Sequence, residues 1–151
     1  LGYMVTNLNI AEVRDLVELR RELEGFAGYL AAQRITPDQL ENLRTIIREA
    51  EDAPSRDQCI SSITDYYDTR FHDLLYHAAG NQKLIKVLQD LHITMLRIWF
   101  HVGLDAIGFE HQAHNLYVVL KALEQKDPER VRVAMESHVD LNAEQIKDKF
   151  L

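Results

Sequence analysis

Apolar residues recur every three or four positions along most of the chain, the spacing that places side chains on one face of an α-helix. This pattern predicts four helices in the first two thirds of the chain, over residues 10–34, 37–51, 60–79 and 82–100. A fifth helix buries a face that includes Leu116 and Leu123, and a sixth begins at Pro128 after the capping residue Asp127. No alternating segment of useful length follows Val5. The sequence therefore predicts an all-α fold, an antiparallel bundle of about six helices.

Small and polar residues mark the predicted helix ends. Residues 36–39 (Thr-Pro-Asp-Gln) are typical of a helix start, with Thr as the cap, Pro in the first position and Gln three residues after the cap. Gly80 suits the left-handed conformation just past a helix end, and Asn81 is a favourable cap for the next helix. Gly103 and Gly108 are predicted to bracket a break between the fourth and fifth helices.

Composition and charge limit the classes of function. The 151 residues are 46% hydrophobic and 27% charged, as expected for one soluble domain. The formal net charge of −7 argues against nucleic-acid binding by this segment itself. No apolar run approaches the roughly 20 residues that span a bilayer, and no signal peptide opens the chain. Cys59 is the only cysteine, so an internal disulfide is impossible and the cytoplasm is the expected location.

Asp68 and His72 are the most informative polar residues of the third predicted helix. They are four positions apart, which stacks their side chains one turn above the other, close to the face that carries Phe71 and Leu75. A buried carboxylate without a partner is costly, so an inward Asp beside an inward His requires an explanation. Two explanations stay open at this stage: a hydrogen-bonded polar pair within the core, or two ligands of a metal ion.

The remaining sequence offers weaker candidates. No Glu is followed three residues later by His, which disfavours a di-iron site, and no motif nominates a catalytic nucleophile. Arg20 and Glu24 have the spacing of an ordinary surface ion pair. Arg97 lies in an apolar stretch, where a guanidinium group would contact either a carboxylate ligand or an internal acidic residue. Three further histidines are expected to be solvated or satisfied within the bundle: His77, His92 and His101.

Three groups of residues, spread over nearly the whole chain, together form a recognisable pattern. The first is Leu-Arg-Arg-Glu-Leu-Glu at 19–24, followed by Leu-Ala-Ala at 30–32. The second is Asp-Thr-Arg-Phe-His at 68–72, followed by Ala-Ala-Gly-Asn at 78–81. The third comprises Ala-Leu at 122–123, Asp127, Ala-Met at 134–135 and His138. The combination resembles the ligand-binding (FCD) domain of FadR-type members of the GntR family of bacterial transcription regulators.

The resemblance implies a domain organisation and a set of partners. Residues 2–5 (Gly-Tyr-Met-Val) resemble the last strand of the family's winged helix-turn-helix. Residues 1–8 are therefore predicted to be the tail of a missing DNA-binding domain and its linker, and residues 9–151 an all-helical effector-binding and dimerisation domain. The implied protein is a cytoplasmic homodimer that senses a small carboxylate effector and is not an enzyme. It would contact DNA only through the missing domain and would not bind a membrane.

Many relatives bind a divalent metal through one Asp and three His, with a small organic acid completing the coordination. Three residues of this chain match the Asp and two of the histidines: Asp68, His72 and His138. The family register places the remaining histidine at Leu116. His114 and His111 are close in sequence, but they lie about 200° and 140° away from that helical face. Three readings stay open: a helix irregularity turns His114, or alternatively His111, inward; water replaces the ligand; or the site holds no metal.

The implied metal is a zinc, nickel or manganese type of ion, among which the sequence does not choose. Arg20 and Arg97 are the candidate effector-binding residues. The alternative functions are a metal-free sensor of an acyl-CoA or another organic ligand, and a pure dimerisation module in which Asp68 and His72 satisfy each other. A metal-dependent hydrolase is the weakest alternative, because the sequence offers no candidate base.

Overall fold

The computed structural model describes the backbone of residues 9–52, 60–103 and 106–150, and the side chains of these ranges except at 60–65, 106–112 and 150. Six α-helices form a bundle: α1 (Ile10–Arg34), α2 (Pro37–Asp52), α3 (Ile60–Ala79), α4 (Gln82–Val102), α5 (Ala106–Glu124) and α6 (Pro128–Phe150). The all-α prediction is confirmed. Over the described ranges, none of these helices combines the length and apolar character needed to span a membrane. The predicted strand tail at residues 2–5 and the single cysteine lie outside the described residues.

The predicted helix-start signals make the expected hydrogen bonds. The backbone N–H of Gln39 donates to Oγ1 of Thr36 at 3.2 Å, and the backbone N–H of Thr36 donates back to Oε1 of Gln39 at 3.0 Å. Asn81 and Asp127 accept hydrogen bonds from backbone N–H groups in the first turns of α4 and α6, at 3.1 and 3.2 Å. Gly80 follows α3 with φ of 68°. These contacts satisfy backbone groups that a helix end leaves without partners.

The break between the fourth and fifth helices differs from the prediction. Gly103 ends α4 with φ of 75°, a left-handed conformation that glycine adopts without strain. Gly108 does not mark a second boundary, because α5 begins two residues earlier, at Ala106. Since α5 then continues to Glu124 as one α-helix, its side chains keep a regular rotational order.

Two glycines allow α1 and α6 to pack closely. A Cβ atom at Gly28 would lie 2.9 Å from Cγ of Met135 and 3.0 Å from Cγ1 of Val131, both on α6. At Gly25 it would lie 2.9 Å from Cγ of Glu136. Any larger residue at position 28 therefore meets buried side chains of the facing helix, so the approach of these two helices depends on glycine there.

The described side chains of the bundle form two separate apolar clusters. The main core receives buried side chains from all six helices, among them Ala27, Leu43, Phe71, Leu88, Val119 and Met135. The small core consists of five buried residues from α1, α4 and α6: Leu16, Met95, Ile98, Trp99 and Ile146. The three helices that contribute to both cores carry polar residues between the two sets of apolar positions.

Candidate metal centre

A layer of polar side chains separates the main core from the small core. This polar layer consists of Arg20 and Glu24 on α1, Asp68 and His72 on α3, His92 on α4, and His138 and Asn142 on α6. The Asp68 side chain is 13% exposed, and the other six residues are buried. On α4, for example, His92 lies one turn after Leu88 of the main core and one turn before Met95 of the small core. Helical periodicity therefore turns the polar side chains inward together with their apolar neighbours.

His72 is at the centre of this layer. Its Nδ1 atom lies 2.8 Å from the backbone carbonyl oxygen of Asp68, one turn earlier on α3. Since a carbonyl oxygen only accepts hydrogen bonds, Nδ1 carries a hydrogen and donates it. The other nitrogen, Nε2, faces Oε2 of Glu24 at 3.4 Å. A histidine that donates one nitrogen to a backbone carbonyl presents the other in a fixed direction, as metal-ligating histidines commonly do.

Asp68, His72 and His92 form the most compact set of potential metal ligands. Oδ2 of Asp68 lies 3.4 Å from Nε2 of His92, and Oδ1 lies 3.3 Å from Nδ1 of His72, the nitrogen that donates to the Asp68 carbonyl and leaves Nε2 free to ligate. One ligand atom from each residue can be chosen so that all three lie within 4.8 Å of one another. Ligands about 2.2 Å from one ion span at most about 4.4 Å, so small side-chain shifts would complete such a set.

His138 lies beside this set, on α6. Its ring centroid is 5.2 Å from that of His72, and its Nε2 atom is 4.0 Å from Oδ1 of Asp68. The Asn142 side-chain amide lies 3.3 Å from the same Nε2 atom, one turn further along α6. Asp68 is therefore adjacent to histidines on α3, α4 and α6.

Arg20 and Glu24 complete the layer from the side of α1. Nε of Arg20 donates to Oε1 of Glu24 at 2.7 Å, and Nη2 contacts the same oxygen. The side chains are 1% and 0% exposed, so the prediction of a surface ion pair is wrong. A buried ion pair of this kind requires close contact, because both charges have lost their hydration.

Burial and charge separate the protonation behaviour of the histidines. Burial opposes protonation of His72, but the Asp68 and Glu24 carboxylates outweigh it and raise the pKa of His72 to about 9. Burial and the neighbouring His72 lower the pKa values of His92 and His138 to about 4. Burial also opposes ionisation of Glu24, but Arg20 and His72 hold the pKa of its carboxyl group far below the usual range. Without a metal, the layer therefore carries its proton on His72.

Several polar atoms of the layer fit a divalent metal ion. Six buried side-chain atoms of the layer have no hydrogen-bond partner among the described residues: Nη1 of Arg20, Oε2 of Glu24, Oδ1 of Asp68, Nε2 of His72, Nδ1 of His92 and Nδ1 of His138. Leaving such atoms unsatisfied is costly, and an ion or a ligand at this place would remove the cost. Carboxylate oxygen and imidazole nitrogen are the donors that zinc, nickel and manganese accept in proteins.

The structure does not bring every predicted site residue to this layer. His114 has an exposed side chain on the continuous helix α5, whereas Leu116, two residues later, is buried. An irregularity that turns His114 inward is therefore not present, and the side chain of His111 lies outside the described residues. Arg97 is exposed and does not reach the layer, because it lies on the outer face of α4. Of the two predicted effector-binding arginines, only Arg20 is in the polar layer.

His92 is the residue that the sequence reasoning missed. It was expected to be solvated or satisfied, yet it is buried and contacts Asp68. The signal for it was present, since His92 falls four residues after Leu88 and three before Met95, on the apolar face of α4. The family register places the third histidine on α5 instead, at Leu116.

Comparisons with known proteins identify related sequences and folds. A sequence profile of the FCD domain matches residues 15–141. E. coli McbR/YncC superimposes with a TM-score of 0.83 and 18% identity, over 95% of this chain and 72% of its own. Streptococcus agalactiae GntR superimposes with a TM-score of 0.70 and 24% identity, over 95% of this chain and 64% of its own. At these identities the two structures show a shared helical-bundle fold alone. No curated protein matches the chain.

Proposed function

The chain belongs to the FCD domain family, found in GntR-family transcription regulators, which are not enzymes, and we propose that it senses a small organic acid through a divalent metal. FCD domains bind the effectors of these regulators, and a separate helix-turn-helix domain binds DNA. The proposal adds the chemistry of the effector and the residues that hold it. We infer that in a regulator of this family DNA contact belongs to a winged helix-turn-helix domain rather than to a region like residues 9–151.

The observation that carries the proposal is the set of Asp68, His72 and His92. These three side chains come from two different helices, and their ligand atoms lie within 4.8 Å of one another in a buried layer. Apolar cores lie on both sides of the layer, and of these three side chains the two histidines are buried and Asp68 is 13% exposed. A cluster of this composition, with unsatisfied donor atoms, is typical of a metal site rather than of a structural polar pair.

Each residue has a definite role in the proposed site. Asp68, His72 and His92 hold the metal, and His138 is placed to join them from α6. The bound metal would attract the carboxylate group of the effector as a Lewis acid. The backbone carbonyl of Asp68 orients His72 through the hydrogen bond to Nδ1. Arg20 places a positive charge at the same layer and so favours an anionic effector.

The position of the layer explains how binding would be transmitted. Its residues lie on α1, α3, α4 and α6, which pack against one another. A ligand in the layer would therefore contact four of the six helices at once. A ligand that binds one packing more tightly than another shifts the balance between them. We propose that the domain is a homodimer, because a shift of α1 could then change the spacing of two DNA-binding domains.

The proposal is tested by metal content and by zinc titration of three variants. Purified protein should contain a divalent metal, and zinc titrated into metal-free protein should bind with a stoichiometry of one. His72→Ala and His92→Ala should each weaken binding by at least about tenfold, as the loss of a ligand does. His114→Ala is the matched control, since it removes an exposed imidazole and should bind zinc as the wild type does. Equal affinities for all four proteins would contradict the site.

A metal-free sensor of an organic acid is the second candidate. It is favoured by the two buried cations, Arg20 and protonated His72, which face the same layer. The two candidates differ in their response to chelation. Binding of a carboxylate that survives treatment with EDTA supports the second candidate, whereas binding that requires added zinc supports the first.

A further inference from the structure

The fixed charges of the polar layer can be counted residue by residue. Among the described residues, Arg20 and Glu24 are the buried side chains of permanent charge, and Asp68 joins them with 13% exposure. The nearby ionisable groups are histidines and Tyr76, whose pKa burial raises well above its usual value, so that it stays neutral. Histidines that bind a metal are also neutral. The protein therefore contributes one positive and two negative charges to a loaded site.

A divalent ion changes this balance. Its two positive charges, added to one positive and two negative side chains, leave a single net positive charge in the layer. An uncompensated charge is costly in a buried environment, and one negative charge removes it. An effector with two negative charges would leave the layer with one net negative charge, which is again costly to bury.

We propose that Glu24 sets the charge of the effector, so that the metal-loaded site prefers an organic acid with one carboxylate over an acid with two. The inference rests on the proposed function, because it assumes that the layer holds a divalent ion. Glu24 acts here as a counter-charge. Its Oε1 atom is occupied by Arg20, and its Oε2 atom faces His72 without a hydrogen-bond partner among the described residues.

The position of Glu24 makes it suitable for this role. Its side chain is fully buried, so water does not screen its charge. The contact with Arg20 holds the carboxylate in place. Its distance of 3.4 Å from His72 places that charge against a proposed metal ligand. Glu22 is two residues away on the same helix, but its side chain is 73% exposed and its charge is screened by water.

The test compares a monoanion and a dianion of similar size, lactate and malonate, on zinc-loaded protein. Calorimetric titration at about pH 7.5, in a buffer without coordinating anions, gives both dissociation constants. Free zinc binds the dianion more strongly, whereas the wild-type protein should reverse this order. Glu24→Gln leaves two net positive charges and should shift the malonate-to-lactate affinity ratio toward malonate by at least about tenfold. Glu22→Gln, the matched control, should leave the ratio unchanged.

A double variant keeps the test conclusive if Glu24→Gln does not fold. Arg20→Gln with Glu24→Gln removes both members of the buried pair and restores the single net positive charge. Both acids should bind more weakly without Arg20, but the site should still bind lactate more tightly than malonate. An unchanged ratio in Glu24→Gln, or a wild type that follows the order of free zinc, overturns the inference and leaves the proposed function intact. If wild-type protein binds neither zinc nor lactate, the proposed function fails, and the inference fails with it.

Discussion

The imidazole rings of His72 and His92 pack against each other in a tilted arrangement where α3 meets α4, with centroids 4.7 Å apart and planes inclined by 31°. Two buried imidazoles at this distance are not both cationic, because two positively charged rings would repel each other. His72 is adjacent to the carboxylates of both Asp68 and Glu24, whereas His92 approaches Asp68 alone. The proton therefore resides on His72.

The first prediction concerns the titration of these rings in metal-free protein. His72 should remain protonated until the pH approaches about 9, and His92 should remain neutral until it falls to about 4. Two-dimensional NMR of the imidazole carbons checks both values. A common midpoint for His72 and His92 near the ordinary histidine value would contradict the charge assignment.

The second prediction concerns the stability of metal-free protein. The raised pKa of His72 stabilises the fold fully below about pH 6.5, and this contribution disappears as the pH rises through about 9. The lowered pKa values of His92 and His138 have the opposite effect on the free energy of unfolding. Their stabilising contribution is present above about pH 6.5 and is lost as the pH falls toward 4. Urea unfolding at several pH values should give maximal stability near pH 6.5. Stability that rises steadily to pH 9 would exclude this account.

The third prediction concerns metal affinity. A metal that binds His72 must displace its proton, so affinity should increase about tenfold per pH unit up to about pH 9. An unperturbed histidine would level off above about pH 6.5. Competition of nickel with a chelator of known affinity, measured between about pH 6 and 8.5, distinguishes the two behaviours. A plateau above about pH 7 would show that His72 is neutral before the metal binds.

The fourth prediction compares a buried ion pair with a surface one. Glu24→Gln leaves the Arg20 guanidinium group buried without its carboxylate, which should cost about 3–5 kcal/mol of unfolding free energy. Nε of Arg44 lies 2.9 Å from Oε1 of Glu124, close to the 2.7 Å between Nε of Arg20 and Oε1 of Glu24. The Arg44 and Glu124 side chains, however, are 37% and 23% exposed. Glu124→Gln should therefore cost less than about 1 kcal/mol. Chemical denaturation of both variants is the measurement, and similar losses would mean that burial does not decide the outcome.

The fifth prediction concerns the contact of α1 with α6. An added methyl group at Gly28 meets the buried side chains of Val131 and Met135, so Gly28→Ala should lower stability by about 1–2 kcal/mol in spite of alanine's higher helix propensity. Gly25→Ala is the comparison, because its Cβ would meet the side chains of Glu136 and Arg132, which are 17% and 30% exposed and can shift toward solvent. It should be close to neutral. Equal melting temperatures for the two variants would refute the difference in packing.

Much of the fold could be predicted because local chemistry determines it. The apolar spacing and the caps at Thr36, Asn81 and Asp127 depend on neighbouring residues in the sequence, and the structure confirms these caps. Gly108 was misread because a glycine near a helix start is compatible with the helix as well as with a break. The glycines that bring α1 against α6 carried no such local signal.

The site was harder to predict, because it depends on which helices meet. Asp68 and His72 are one turn apart, so their proximity followed from the sequence, and the resemblance supplied His138. The burial of Arg20 and the contribution of His92 depend on packing between distant helices. Their positions on apolar faces were visible in the sequence. The register of the relatives places the third histidine on α5 rather than at His92, and arginine side chains are usually exposed, which disfavoured a buried Arg20.

The polar layer also bears on how cooperatively the domain unfolds. Among the side chains that the structure describes, the small core has five buried residues, and the polar layer lies between it and the main core. We therefore expect the end of the bundle that holds the small core, formed by the start of α1, the end of α4 and the end of α6, to exchange its amide hydrogens faster than the rest. A ligand bound across α1, α3, α4 and α6 would couple the two parts and slow that exchange. The occupied and free domains would then differ in the local opening of α1 even where their average coordinates agree.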